Sequence, residues 1–130
     1  MLPARSLVIL LVLSGSAQTA LADASMDRVL KELEPEERAR QVCNLRGIDA
    51  VRKGSRLKGV DRVTNTLQKP TVFKDNMVVG KNAAVRAKHR WYFLDFTCAV
   101  TGDQMKATSF DYKLGSEIPE SEWDEYGLWK

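Results

Sequence analysis

The chain has 130 residues, enough for one modest hydrophobic core and short for two domains. It is 44% hydrophobic and 28% charged, which excludes a disordered chain. Twenty basic against 17 acidic residues leave a net charge of +3, too mild an excess for a nucleic-acid partner.

The first 22 residues, MLPARSLVILLVLSGSAQTALA, read as a signal peptide. Arg5 supplies the positive charge near the N-terminus, residues 7–13 form the apolar run, and Ala20-Leu21-Ala22 gives the small-x-small cleavage pattern. That run is about half of the roughly 20 residues a membrane-spanning helix requires, and no later segment is long and apolar enough to span. No cysteine stands at the cleavage point to carry a lipid anchor. Cleavage after Ala22 leaves a single globular domain, residues 23–130, in the periplasm or secreted.

Residues 23–33 form a short amphipathic piece, one or two helical turns. A longer helix follows. Pro35 suits its first position, Glu36 and Glu37 its first turn, Arg52 and Lys53 its last, and Gly54 a stop. Ala39, Val42, Cys43, Gly47, Ala50 and Val51 recur at three- and four-residue spacing and form its inner face. Gly47 would let the sheet backbone come close, at about 1 kcal/mol relative to alanine.

Between residues 55 and 82 the spacing predicts short strands at 71–73 and 77–79, with turns at Lys69-Pro70, Asp75-Asn76 and Gly80. AAVRAK, residues 83–88, is compatible with a strand or a loop. From Trp91 the period becomes two: Tyr92, Leu94, Phe96, Cys98 and Val100 point one way, Trp91, Phe93, Asp95, Thr97 and Ala99 the other. TGDQ turns the chain, and alternation resumes with Phe110, Tyr112 and Leu114, making a hairpin. Pro119 opens a short acidic C-terminal helix that Gly127 ends, with Trp123, Tyr126, Leu128 and Trp129 packing on the body.

The two cysteines of an exported chain have one possible internal pairing, Cys43 with Cys98. The bridge would tie helix to sheet across about 55 residues, worth roughly 4 kcal/mol in the chain-entropy model. The fold class expected is α+β: an N-terminal helix on a small antiparallel sheet of three or four strands, a short C-terminal helix, and one helix–sheet disulfide.

RQVCNLRGIDAVR, RWYFLDFTCAV and MKATSFDYKLGSEIPESEWDEYGL resemble the small exported alphaproteobacterial proteins grouped as domain of unknown function 930. The resemblance spans residues 34–129 and implies a periplasmic or secreted domain, with no reaction and no catalytic residues to transfer.

No catalytic constellation is present: one histidine, His89, and no nucleophile elbow, phosphate loop or metal-binding run, so neither metal nor cofactor is expected. Asp95 and Asp111 sit on the mixed face of the hairpin, where paired carboxylates could do acid–base work; solvation, or pairing with Lys106, Lys113 or Arg90, is the simpler expectation. Arg52, Lys53, Arg56, Lys58 and Arg62 form one basic stretch, and Lys81, Arg86, Lys88 and Arg90 a second. If they meet in space they make a site for an anionic envelope polymer or an acidic protein. The reading is a non-enzymatic binding or interaction protein of the envelope. A structural or stress-related envelope factor and a small carboxylate hydrolase are its alternatives.

Overall fold

The computed structural model describes residues 17–130, residues 66 and 68 excepted. The elements run α1 (Ala17–Glu32), α2 (Pro35–Gly54), β1 (Val60–Thr64), β2 (Val72–Lys74), β3 (Met77–Ala87), β4 (Arg90–Val100), β5 (Ala107–Glu117), a 3-10 turn (Glu120–Glu122) and α3 (Trp123–Tyr126). The apolar run of the expected leader, residues 7–13, lies outside the described residues, and Ala20, Leu21 and Ala22 fall inside α1. Instead of one or two turns, α1 has 16 residues, because no glycine or proline interrupts it. The Arg38 guanidinium caps its end, donating to the carbonyls of Leu30 (2.8 Å) and Lys31 (3.3 Å) and to that of Leu33 (2.8 Å) just beyond it.

Helix α2 forms where its signals place it. Proline opens it, Glu36 and Glu37 lie in the first turn, and Arg52 and Lys53 in the last. Ala39, Val42, Cys43, Gly47 and Val51 are its buried stripe; Ala50 is half-buried. The two glycines act differently from expectation. Gly47 accommodates a ring rather than sheet backbone: a Cβ there would stand 2.7 Å from Phe110 Cζ. Gly54 remains helical, and a Cβ on it would stand 2.8 Å from the Tyr112 hydroxyl.

The sheet is antiparallel and has five strands rather than three or four. Its order is β1-β3-β4-β5, with β2 also on β3. β1 pairs with β3 residues 84–87 and β2 with residues 77–79, so the two short strands share one edge of β3. AAVRA is strand, continuous with Met77–Val79. α2 lies across one face over Leu94, Phe96, Cys98 and Val100, and the Cys43–Cys98 disulfide joins the layers with Cα atoms 6.0 Å apart. On the opposite face the C-terminal tail covers the sheet, burying Ala84, Trp91, Ile118, Trp123 and Leu128 together. Trp91 Nε1 donates to the Trp129 carbonyl (2.7 Å) and Trp123 Nε1 to that of Ile118 (2.9 Å), so both indoles bury without an unpaired N–H.

Candidate functional site

The sheet gathers some of the basic residues at one end and neutralises others. At the turn between β3 and β4, Lys88 and His89 both take left-handed backbone, with φ of 49° and 63°. This two-residue turn matches the twist of the hairpin and favours asparagine and glycine. Lysine and histidine hold it at about 1–2 kcal/mol each, because strand pairing on both sides dictates it. The Lys88 stem crosses Gly59, where a Cβ would be 3.2 Å from its Cγ, so Lys58 and Lys88 share this end of the sheet. Arg52 reaches the same end by donating to the Val60 carbonyl at 2.7 Å, and Arg56 lies over the Tyr92 ring at 5.7 Å. None of Arg52, Arg56, Lys58 and Lys88 has a carboxylate partner among the described residues.

The remaining bases are placed otherwise. Lys53 pairs with Asp49 at 3.0 Å and Arg90 with Glu117 at 3.7 Å, both on the surface where such pairs are weak. Arg86 makes a two-pronged contact with Asp61 (2.9 and 2.7 Å) and lies within 6 Å of both the Trp91 and Trp129 rings. The hydrogen bond from Arg86 holds the Asp61 carboxyl below the ordinary carboxylate range, against the opposing effect of burial. Arg62 lies over Trp129 at 5.4 Å. Lys81 stands apart, beside Lys69, Phe93 and Tyr126 on the tail-covered face. On that face Asp95 stands opposite Lys113 and Asp111 opposite Thr97, so the two carboxylates do not face one another; Asp95 accepts the Asn82 N–H at 2.8 Å.

Beside the cationic end, a cavity of about 440 Å³ opens between α2 and β1. Gln41, Asn44, Leu45 and Ile48 form one wall, Arg62 and Thr64 the other, and Trp129 closes it. Two lining residues, Asn44 and Thr64, carry oxygens (Oδ1 and Oγ1) that are closed off from solvent and have no hydrogen-bond partner. Each such atom costs about 1–3 kcal/mol. Leu45 and Trp129 are 45% and 46% exposed.

The chain matches the family described as Domain of Unknown Function (DUF930) over residues 30–128. It belongs to the DUF930 family. No curated protein and no solved structure matches it. In this DUF930 chain the matched span covers α2, the whole sheet and the tail as far as Leu128, so the cationic end and the cleft lining apart from Trp129 lie within the family domain.

Among the described residues no group of three or more His, Cys, Asp or Glu could hold a metal, and no helix is long and apolar enough to cross a membrane. Sequence reasoning missed the cleft. Its one legible signal was a second stripe on α2: Gln41, Asn44, Leu45 and Ile48 follow helical spacing beside the core stripe. Thr64 gave none, because no strand was expected around it.

Proposed function

We propose that this chain is an exported, non-enzymatic binding protein of the bacterial envelope that holds an anionic envelope polymer against the cationic end of its sheet. The observation that carries the reading is the convergence of Arg52, Arg56, Lys58 and Lys88 around Gly59 without carboxylate partners. Of the four, Arg52 lies on α2, Arg56 and Lys58 on the α2–β1 connection and Lys88 on a strained turn elsewhere in the chain, so their meeting is a product of the fold. Fixed cations raise the local concentration of a polyanion, and salt weakens that attraction. The Cys43–Cys98 bond supports an oxidising compartment, and the leader read in residues 1–22 supports export to one.

Fractionation of cells carrying the intact chain tests the reading. The protein should appear in the envelope fraction, shortened at Ala22, and leave it in a high-salt wash. Recovery from the reducing interior with the leader intact overturns the reading. So does retention on an acidic protein instead of on lipopolysaccharide or peptidoglycan.

A further inference from the structure

An edge strand presents unpaired backbone N–H and C=O groups, and sheets blunt such edges with short or bulged strands. The two edges of this sheet differ in that respect. One is divided between β1, five residues with a bulge, and β2, three residues. The other is β5, 11 residues long, and among the described residues no strand but β4 pairs with it. Its pairing with β4 keeps one register from Ser109 to Leu114 and shifts only beyond that stretch. Phe110, Tyr112 and Leu114 are half-buried there, whereas Leu94, Phe96 and Cys98 beside them on β4 are fully covered. On the opposite face Asp111 and Lys113 are exposed, and neither has an ion-pair partner among the described residues.

The order of residues on this edge is complementary to itself. Alternate residues point to opposite faces, so a second copy added antiparallel keeps its faces aligned only if the twofold axis passes through a residue. An axis at Asp111 sets that carboxylate against itself, and an axis at Lys113 sets two ammonium groups together. Through Phe110, both charges meet uncharged positions, Ser109 and Ala107. Through Tyr112, Lys113 of each copy stands opposite Asp111 of the other, and Leu114 opposite Phe110, twice over. Directly opposed pairs of unlike charge stabilise a sheet and like charges destabilise it, which selects Tyr112.

We propose that β5 docks a second copy of this chain, edge to edge and antiparallel, in a symmetric dimer centred on Tyr112. The five residues 110–114 supply the ladder, with the Lys113–Asp111 pairs on one face and the half-buried apolar row completed on the other. So small a contact makes a weak, concentration-dependent dimer. Neither Asp111 nor Lys113 belongs to the cationic end, so self-association and polymer binding hold or fail separately.

Sedimentation of the oxidised protein tests it, with Asp111→Lys and Lys113→Glu made singly and each checked by its melt. The parent should dimerise with a Kd between about 1 μM and 1 mM. Each single variant opposes like charges at two places and should weaken the dimer about tenfold or more. Mixed in equal amounts, the two variants restore both unlike pairs and should associate with each other at least as tightly as the parent does with itself. Amide NMR of the parent needs no variant: on dilution, shifts should concentrate in residues 110–114. A parent that stays monomeric to about 1 mM overturns the proposal. So do a dimer that both single variants leave intact, a mixture that does not associate, and dilution shifts on the β1–β2 edge instead.

Discussion

Lys88 and His89 show a single turn serving two demands. The hairpin between β3 and β4 requires left-handed backbone at both positions, and both residues pay more for it than asparagine or glycine would. Lys88→Asn/His89→Gly should therefore raise stability by about 1–2 kcal/mol. The same change should weaken polymer binding by removing a cation beside Lys58. Urea denaturation and a polymer-binding isotherm on one preparation check both; a more stable variant with undiminished binding would remove Lys88 from the site. The Arg86–Asp61 pair carries a pH dependence. Its carboxyl titrates below the ordinary range, so the pair contributes fully above that range, and the contribution disappears as pH falls through the lower folded value. Asp61 is 51% exposed, which limits the effect to about 1 kcal/mol or less. Asp61→Asn should lower the denaturation midpoint at neutral pH and leave it unchanged in strong acid. At this scale the sequence named Arg52, Arg56, Lys58 and Lys88 but could not tell them from Lys53, Arg86 and Arg90, because ion pairing depends on partners distant in the chain.

At the scale of elements, a column of two rings between two glycines sets how α2 meets the sheet. Gly80 on β3 faces Phe96, a Cβ on it overlapping Phe96 Cε1. Phe96 stacks on Phe110 with centroids 4.8 Å apart, and Phe110 lies against Gly47 of α2. Gly47→Ala gains about 1 kcal/mol of helix propensity and meets overpacking of about 1–3 kcal/mol. The variant should lose about 1 kcal/mol net, read as a lower denaturant midpoint; a gain in stability would mean that the rings yield freely. α2 and the β4–β5 hairpin were legible because caps and turn residues bracket clean periodic runs. β1 was not: a bulge between Val60 and Arg62 breaks its alternation, leaving a buried-exposed-exposed-buried order. β3 was read only in part, as a strand at 77–79 with residues 83–88 left as strand or loop, for a related reason. A second irregularity lies between Gly80 and Ala83, and Ala83, Ala84 and Val85 are buried in succession because α2 covers one face and the tail the other.

For the whole molecule, one bond joins the layers and one seam carries the proposed recognition. The disulfide spans 55 residues and links α2 to the central strand β4. Its stabilisation of roughly 4 kcal/mol in the chain-entropy model is a large part of the 5–15 kcal/mol of a small domain. Reduction should lower the melting temperature by about 15 °C or more, and calorimetry with and without reductant measures it; an unchanged melt would show that packing alone holds α2 on the sheet. The pairing was readable from two cysteines and the expectation that residues 1–22 are a leader. The seam was not, since it needs the α2–β1 connection and the β3–β4 turn to meet. The most direct measurement of the central claim is binding of the oxidised protein to purified lipopolysaccharide and peptidoglycan across a salt series, beside Lys58→Ala/Lys88→Ala. The account predicts saturable binding to at least one polymer, weakening steeply with salt, and a variant that has lost both affinity and salt dependence. Salt-insensitive binding, or a variant that binds like the parent, would contradict it.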